Sequence, residues 1–433
     1  MSGLGLEEGD KKMKVEATVS IALLVLCSVS VFRFGFSFGA ADSSSGSGSF
    51  SVQSTIDWWP MFQHDLSHTG FSSSIAPNTN HTIWTSRPGG NYQWSSAAVV
   101  DGAVYIGDND GWVYNLNSTT GAMKWKSMIT GIVESSPAVA EGVVYVGSLS
   151  SRLFALNAST GEQIWNYTTG DNVHPSPAVA YGKVYVGSWD SRVYALNAST
   201  GEQVWNYTTG SIVLSSPAVV DGVVFIGSGD SNVYALNAST GERVWNYTTG
   251  DPVHSSPCVA EGKVYVGSLD GKAYALNATD GQLIWSQEIG PVGLSSPAFA
   301  EGTVYIGSND HNVYALNAST GAPFWNYTTG NYVSSAPAVA GGMVFVGSYD
   351  YSVYGLNAST GVRIWSYKTD DYVSSSAAVV NGTIFIGSGD GTFYAFGAEP
   401  VIPEFPSLLI LPIFMMATLL AVIVYKKKRI GTR

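Results

Sequence analysis

A 40-residue unit repeated along the 433-residue chain predicts an all-β fold, an eight-bladed β-propeller of four-stranded antiparallel blades. Tryptophan recurs at an unbroken spacing of 40, and glycine recurs eight times at the same spacing. Each unit is rich in β-branched and aromatic residues between turn-forming residues, and no helical period is present. The recurring residues are Trp125, Trp165, Trp205, Trp245, Trp285, Trp325 and Trp365, with Gly107, Gly147, Gly187, Gly227, Gly267, Gly307, Gly347 and Gly387.

Each repeat divides into four strands, which we call A, B, C and D. In one repeat we predict strand A at Ser176–Ala180, strand B at Lys183–Ser188, strand C at Arg192–Asn197 and strand D at Gln203–Thr208. Tight turns separate them, because Gly, Asn, Asp and Ser cluster between the apolar runs.

The first and last repeats predict how the ring closes. Eight A–B–C sets are present, but the last one ends at Phe393–Phe396 with no strand D after it. Residues Thr82–Ser86 supply the missing strand, since Trp84 lies 41 residues before Trp125. Pairing this outer strand with the last blade leaves no open sheet edge, so we place the propeller at residues 82–397.

The N-terminal region precedes the repeats. Residues 1–41 contain an apolar run after several lysines and predict either a cleaved signal peptide or an uncleaved anchor, with translation starting at Met1 or Met13. Residues 42–55 form a Ser/Gly linker. Residues 56–81 are expected to cap the propeller through Trp58, Trp59 and Phe62. His64 and His68 have the spacing of a helical metal pair, but no third ligand is evident, which favours the cap.

The C-terminal region predicts a membrane anchor. A linker at residues 398–406 leads to a 19-residue apolar stretch at 407–425, which as a helix spans about 28 Å. The basic residues at 426–433 are expected to stay cytoplasmic, which puts the repeats outside the cell. The formal charge of −12 includes five positive charges in this tail, and residues 1–41 are neutral overall, so residues 42–425 carry −17. Such acidity disfavours nucleic-acid binding.

Two segments resemble known families. The stretch Val184–Asp190, continued by Leu196–Gly201 and Trp205, resembles the repeat of the PQQ-like quinoprotein propellers over roughly residues 82–397. In that family each indole docks against neighbouring blades. Pro403-Glu404-Phe405-Pro406 with the apolar run and basic end resembles archaeal Pro-Glu-Phe surface-sorting signals. That resemblance implies a tail that is cut and replaced by a lipid, whereas a plain membrane span needs no processing.

The resemblance to quinoproteins implies two alternative functions. Quinoprotein dehydrogenases hold PQQ and Ca²⁺ with an adjacent-cysteine disulfide over the quinone and a catalytic aspartate. This chain has Cys27 and Cys258 only, far apart, and it lacks long insertions between blades. Non-catalytic relatives include a bacterial outer-membrane-assembly lipoprotein that acts as a scaffold. We therefore expect a cell-surface, membrane-anchored module that binds a protein or surface glycan, with no cofactor and no enzymatic activity. The alternative is a divergent PQQ- and Ca²⁺-dependent dehydrogenase of small alcohols or sugars.

The candidate binding residues are those that vary while the scaffold repeats. One variable column precedes strand A, and another lies in the B–C turn; the D–A and B–C loops are expected on one face, near the axis. Glu134, His174 and His254 have metal-ligand chemistry, but the two histidines lie two blades apart around what we expect to be a wide ring, so no metal site is predicted. The candidate binding face comprises Trp94, Glu134, His174, Trp189, His254, Asn309, Tyr332, Tyr349 and Tyr372.

Two further repeat positions have a turn-forming interpretation. Aspartate occupies one B–C turn position in seven blades, where its carboxylate is expected to bind its own backbone rather than Ca²⁺. Sequons for N-glycosylation are abundant, and their asparagines also favour turns, so modification and turn formation both stay open. The sequons are at Asn80, Asn117, Asn157, Asn166, Asn197, Asn206, Asn237, Asn246, Asn277, Asn317, Asn326, Asn357 and Asn381.

Overall fold

The structure, a computed structural model, describes residues 58–92 and 94–398. These residues form eight separate sheets, and the predicted eight-bladed propeller is confirmed. The strands are β1 (Phe71–Ser72), β2 (Thr82–Ser86), β3 (Ala98–Val100), β4 (Ala103–Gly107), β5 (Trp112–Asn117), β6 (Met123–Met128), β7 (Ala138–Ala140), β8 (Val143–Ser148), β9 (Arg152–Asn157), β10 (Gln163–Thr168), β11 (Ala178–Ala180), β12 (Lys183–Gly187), β13 (Arg192–Asn197), β14 (Gln203–Thr208), β15 (Ala218–Val220), β16 (Val223–Gly227), β17 (Asn232–Asn237), β18 (Arg243–Thr248), β19 (Cys258–Ala260), β20 (Lys263–Gly267), β21 (Lys272–Asn277), β22 (Leu283–Glu288), β23 (Ala298–Ala300), β24 (Thr303–Gly307), β25 (Asn312–Asn317), β26 (Pro323–Thr328), β27 (Ala338–Ala340), β28 (Met343–Ser348), β29 (Ser352–Asn357), β30 (Arg363–Lys368), β31 (Ala378–Val380), β32 (Thr383–Gly387) and β33 (Phe393–Phe396).

Within a blade the strands pair antiparallel in chain order. In the third blade β11 pairs β12, β12 pairs β13 and β13 pairs β14. Strand A is three residues long, shorter than predicted, and begins directly after Pro177, which has no N–H to donate. The B and C strands are buried almost throughout, whereas strand D alternates between exposed and buried positions. The core therefore lies between neighbouring blades.

The ring closes through the N-terminal strand, as predicted. Strand β2 is hydrogen-bonded to β33, with Trp84 opposite Ala395, and becomes the outer strand of the eighth blade. The Trp84 indole donates its N–H to the Ser118 carbonyl of the first blade at 3.0 Å. Trp205 makes the equivalent bond to the Ala238 carbonyl of the next blade at 3.1 Å. The eighth blade is thus joined to the first by the same contact that joins its neighbours.

A glycine in each C–D loop makes room for these tryptophans. Gly241 has a φ of +76°, and its equivalents in the other C–D loops have φ values from +68° to +76°. A Cβ atom built on it would lie 2.7 Å from the ring of Trp205. Glycine is therefore required twice at this position, for the left-handed backbone and for the close approach of the indole.

The N-terminal segment from Trp59 to Gly70 lies against the inner strands around the axis. Its backbone carbonyls accept hydrogen bonds from the strand A amides of six blades, including Val219 to Leu66 and Val259 to Ser67, both at 2.8 Å. Strand β1 then pairs parallel with β27, which makes the seventh blade five-stranded rather than four-stranded. The inner strand edges of six blades thus find acceptors in this segment.

Several predictions concern residues outside the described ranges. These are the signal or anchor segment, the Ser/Gly linker, the C-terminal linker, the apolar stretch at 407–425 and the basic tail. Between residues 58 and 398, apart from Gln93, the structure contains no helix long and apolar enough to cross a membrane. Cys258 is fully buried at the start of β19, where other blades have alanine.

Candidate functional site

The loops of the propeller emerge on two opposite faces. In all eight blades a B–C turn amide donates to a D–A loop carbonyl, as Trp189 does to Asn172 at 2.9 Å. On the other side the C–D loop bonds to the A–B turn, as Ala198 does to Gly182 at 3.0 Å. We call the face with the D–A and B–C loops the upper face, and the face with the A–B and C–D loops the lower face.

One cavity lies on the axis at the upper face, and we call it the axial cavity. It has a volume of about 40 Å³, and Phe62 of the N-terminal segment contributes to its lining. All eight residues of the variable column before strand A line it, so the structure brings this column together. They are Trp94, Glu134, His174, Leu214, His254, Leu294, Ser334 and Ser374.

A ring of serine hydrogen bonds supports the cavity wall. The backbone amide at one position donates to the serine Oγ of the next blade, and seven such bonds of 2.8 to 3.0 Å circle the axis. The bond from Ser376 to Ser96 joins the last blade to the first. The ring breaks where Ala336 has no hydroxyl, and there the Gln63 side chain donates to the Ser296 carbonyl. These hydrogen bonds between backbone amides and serine side chains therefore hold neighbouring blades together at the cavity wall.

The electrostatics of the cavity centre on Glu134 and His174. Glu134 Oε2 lies 3.6 Å from His174 Nε2, and the side chains are 9% and 11% exposed respectively. Burial raises the pKa of Glu134 to about 7. Burial, assisted by the nearby His254, lowers the pKa of His174 to about 4. Burial also lowers the pKa of His254. The imidazoles are thus neutral at pH 7, and Glu134 exchanges its proton near neutral pH.

Aromatic rings from different blades meet across the axis. The ring centroids of Trp94 and His174 lie 5.7 Å apart although two blades separate them in sequence. His174 also stacks on Trp189 at 6.3 Å and 26°. Large side chains of the inner column therefore make contact between blades that lie two positions apart in the ring.

A second aromatic group forms the rim of the upper face. Tyr349 stacks on Tyr372 at 5.0 Å and 9°, and Tyr332 lies 6.4 Å from Tyr349. Tyr332 is 48% exposed, whereas Tyr349 and Tyr372 are half-buried. Asn309 lies in a different B–C turn, where its backbone amide donates a hydrogen bond to the Pro291 carbonyl. It is distant in sequence from the three tyrosines. The rim thus presents a rigid aromatic surface next to the cavity.

The repeated aspartates have a structural role, as predicted, and they bind more partners than their own turn. Asp230 Oδ1 accepts from the Asn232 amide, while Oδ2 accepts from the Gly210 amide and the Tyr234 hydroxyl. Burial alone would raise the pKa of Asp230. The hydrogen bonds outweigh that effect and hold the pKa below its usual range. In the first blade Asp108 takes over this role, with Tyr114 as the donor at 2.8 Å.

Most sequon asparagines occupy one of two kinds of position, while Asn80 precedes β2 and Asn381 lies in the A–B turn of the eighth blade. Asn157 and its equivalents in the C–D loops accept hydrogen bonds at Oδ1 from the amides two and three residues later, for example Ser159 and Thr160. Those asparagines therefore form the turns of the lower face. Exposed sequons on outer strands form the second group, at Asn166, Asn206, Asn246 and Asn326.

The described residues provide no obvious metal centre. Within residues 58–92 and 94–398, no three His, Cys, Asp or Glu side chains are grouped to hold an ion. His68 is buried with Nδ1 3.1 Å from the Pro257 carbonyl, and His64 Nδ1 lies 3.3 Å from Asp65 Oδ2. Desolvation lowers the pKa of His68 to about 4, against the opposing effects of Asp65 and the Pro257 carbonyl. His64 thus has a partner within the N-terminal segment, and His68 has a partner in the loop before β19.

The serine ring and the contact of His311 with the rim residue Tyr332 were not predicted from the sequence. His311 packs edge-on against Tyr332, with ring centroids 5.3 Å apart, and has a φ of +76°. The repeated serine two residues after the variable column was a visible signal for the ring. The position of His311 had no such signal, because its blade equivalents include Ser191 and Ser231.

Comparison with known proteins agrees with this geometry. The family model described as outer membrane protein assembly factor BamB matches residues 73–211, 209–294 and 275–399. No functionally curated protein is significantly similar in sequence. The crystal structure of BamB from Moraxella catarrhalis superposes with a TM-score of 0.66 and 22% identity, covering 73% of this chain and 99% of that chain.

Enzymes share the same architecture. The quinohemoprotein alcohol dehydrogenase from Comamonas testosteroni superposes with a TM-score of 0.70 and 18% identity, covering 80% of this chain and 82% of the enzyme. A europium-containing methanol dehydrogenase has a TM-score of 0.68 and 16% identity, covering 79% and 98%. Such likenesses show a common fold and leave the activity open. Since the family model spans most of the chain, the protein belongs to the BamB family of PQQ-like repeat propellers.

Proposed function

We propose that the chain is an extracellular, membrane-anchored propeller that binds a protein or surface glycan through its upper face. The observation that carries this proposal is the convergence of the variable residues of a closely copied repeat on one face. Binding residues are frequently found on loops that a rigid scaffold holds in place, and the variable residues lie before strand A and in the B–C turns. The likeness to BamB supports a protein-binding role.

The rim aromatics supply suitable contact area. Tyr332, Tyr349 and Tyr372 hold one another by ring contacts, and Tyr332 is 48% exposed. Rigid aromatic side chains lose little entropy on binding and are frequent in binding hot spots. Trp189 adds a ring on the opposite side of the axis through its stacking on His174.

The lower face is a poorer candidate. Its C–D loops carry sequons at Asn157, Asn197 and Asn237, whose neighbouring Ser and Thr residues are exposed. In a protein exported through a glycosylating pathway, attached glycans would obstruct a partner on that side. The charges of the tail and the apolar segments at both ends support export and anchoring.

Protease added to intact cells tests the proposed topology. We expect the repeats to be removed while the basic tail from Lys426 to Arg433 stays protected by the membrane. Repeats that resist the protease in intact cells but are cleaved in lysed cells would contradict an extracellular location.

A paired substitution tests the binding face. Trp189→Ala and Tyr349→Ala should each weaken binding to a partner cross-linked on cells by at least about 1–2 kcal/mol. Ser159→Trp and Ser239→Trp place bulk on the lower face, where both serines are exposed, and should leave affinity unchanged. Loss of binding in the serine variants, with normal affinity in the aromatic variants, would overturn the face assignment.

The second candidate is a divergent quinoprotein dehydrogenase. It is favoured by the near-neutral pKa of Glu134 beside His174, since perturbed acids in a cavity are frequent at catalytic sites. The residues present do not fit PQQ, however. A tricyclic quinone with three carboxylates exceeds a cavity of about 40 Å³ whose described lining includes no Lys or Arg.

An absorption spectrum separates the two candidates. For the binding module, the purified full-length chain mixed with PQQ and Ca²⁺ should give the sum of the separate spectra after gel filtration has removed free quinone. A quinone band that elutes with the protein, together with dye reduction by an added alcohol, would support the dehydrogenase.

A further inference from the structure

Glu134 is a buried carboxylate without a hydrogen-bond donor. Its side chain is 9% exposed, and its Oε2 lies 3.6 Å from His174 Nε2. No hydrogen bond between described residues reaches Glu134, and its oxygens are not fully enclosed by the protein, so they are open to the axial cavity that Glu134 lines. A carboxylate that lines a cavity without a hydrogen-bond donor from the described residues suggests that a bound molecule supplies the donor.

Aromatic rings surround this carboxylate. Trp94 packs 5.7 Å from His174, which in turn stacks on Trp189. Tyr349 and Tyr372 lie close enough for the charge of Glu134 to raise their pKa values, after the larger effect of their own burial. The electron-rich faces of Trp and Tyr attract cations, so the rings and the carboxylate favour the same kind of ligand.

The size of the cavity restricts that ligand. About 40 Å³ holds about three or four water molecules at about 10–15 Å³ each. A primary ammonium group with its last methylene fits this space, whereas a quaternary ammonium does not. Serines such as Ser136 and Ser176 line the cavity, and each accepts a single amide hydrogen bond. Their hydroxyl oxygens therefore keep a second lone pair for an N–H donor.

We propose that the axial cavity binds a primary ammonium group, the end of a lysine side chain of the partner protein. This inference rests on the proposed function and names the chemistry that its upper face recognises. A basic partner also suits the charge of the domain, which is −17 over residues 42–425 once the five positive charges of the tail are taken from the total of −12. Asp171 and Asp251 lie in D–A loops, and the charge of Asp251 acts on His254 of the cavity lining.

The protonation of Glu134 makes binding depend on pH. The titratable groups that face it are His174, Tyr349 and Tyr372, with His254 beside His174. His174, with a pKa of about 4, and the two tyrosines, with raised pKa values, stay neutral between pH 6 and 8, and the lowered pKa of His254 favours its neutral form over the same range. Glu134, with a pKa of about 7, is ionised in about one tenth of molecules at pH 6 and nine tenths at pH 8. An ammonium that needs the carboxylate should bind about tenfold more tightly at pH 8.

Calorimetry with n-butylammonium, a mimic of the lysine side chain, tests this site. The full-length chain is titrated in a non-ionic detergent at pH 6 and pH 8, in buffers of different ionisation enthalpy. We expect about tenfold higher affinity at pH 8 and release of about half a proton at pH 7. Glu134→Gln should reduce affinity at pH 8 at least tenfold.

Matched controls make the result specific. Glu141→Gln removes the same charge from the exposed A–B turn of the same blade and should change the affinity less than twofold. Tetramethylammonium is too large for the cavity and should bind at least tenfold more weakly. Unchanged n-butylammonium binding in Glu134→Gln, equal binding of a neutral methyl glycoside, or displacement by potassium at equal concentration would each overturn the proposal.

The proposed function can survive the failure of this inference. If Trp189→Ala and Tyr349→Ala weaken partner binding but n-butylammonium does not bind, the upper face is a binding face without an ammonium site. If neither aromatic variant affects the partner, the face assignment itself has failed. A partner whose affinity falls at least tenfold in Glu134→Gln, and about tenfold between pH 8 and pH 6, supports both.

Discussion

Glu134 and His174 show how burial alone sets opposite protonation states in neighbouring side chains. Both lie in the axial cavity with about a tenth of their side-chain surface exposed. Desolvation disfavours the charged form of each, which raises the pKa of the acid and lowers that of the base. The contact is therefore a neutral acid beside a neutral imidazole below about pH 7, and an ionised carboxylate beside a neutral imidazole above it.

This arrangement predicts opposing contributions to stability. The raised pKa of Glu134 means that its contribution is complete below about pH 4.5 and is lost as the pH rises through about 7. The lowered pKa of His174 means that its contribution is present above about pH 6.5 and is lost as the pH falls through about 4. In the wild-type protein the two effects offset each other between about pH 4.5 and 6.5.

Glu134→Gln should reveal the imbalance. Relative to the wild-type protein, its free energy of unfolding should rise between pH 4.5 and 7.5 by on the order of 1–3 kcal/mol, because the cost of ionising Glu134 is removed. Urea unfolding at several pH values measures this difference. Glu141→Gln, on an exposed turn, should follow the wild-type profile. Parallel profiles for wild type and Glu134→Gln would show that burial does not shift the Glu134 pKa.

At the scale of the elements, the N-terminal segment accepts hydrogen bonds from some of the eight inner strands and not from others. Its backbone carbonyls accept hydrogen bonds from the strand A amides of Val99, Val139, Val219, Val259, Phe299 and Val339. Val179 has the same register against strand B as Val219, yet no carbonyl of the described segment reaches its amide. An amide without an acceptor exchanges with solvent more readily.

Hydrogen exchange should therefore distinguish equivalent positions of the repeat. We expect the Val179 amide to exchange at least tenfold faster than the Val219 amide, measured by mass spectrometry with fragmentation to single residues. Val184 and Val224, which are equally buried in the two blades, provide the matched control and should exchange at similar rates. Equal protection at Val179 and Val219 would contradict the hydrogen-bond pattern of the N-terminal segment.

Closure of the ring by β2 predicts a large effect of one tryptophan. Trp84 is 9% exposed, packs near Phe385 and Phe393, and donates to Ser118. Trp84→Ala should cost about 3–5 kcal/mol, as should Trp205→Ala at the equivalent position of an interior blade. Trp58→Ala, at an exposed position, should be close to neutral. A small effect at Trp84 together with a large one at Trp205 would argue against closure through β2.

The repeat predicted much of this architecture because each blade satisfies the same local rules. Strand C of the third blade has the predicted bounds, and the missing last strand D correctly indicated β2. The cross-axis contact between Trp94 and His174 was not predictable from the period, which places residues within a blade but does not give the distance across the ring. Asp108 was likewise missed, because a neighbouring position supplies the same carboxylate.

At the scale of the whole molecule, repetition separates scaffold from recognition. The serine ring, the indole contacts and the repeated aspartates hold every blade to the next in nearly the same way. Variation is therefore tolerated where the scaffold does not constrain it, at the axial cavity and the rim. The two faces differ accordingly, with turn-forming asparagines on the lower face and aromatic side chains on the upper one.

Hydroxyl-radical footprinting of the protein bound to its cell-surface partner tests the central claim most directly. Three exposed aromatic side chains report on three surfaces: Tyr332, 48% exposed, on the upper face, Tyr181, 60% exposed, on the lower face, and Phe324, 57% exposed, on an outer strand. Relative to the purified chain, we predict at least threefold protection of Tyr332 and unchanged oxidation of Tyr181 and Phe324. Protection of Tyr181 or Phe324 with full oxidation of Tyr332 would contradict recognition through the upper face.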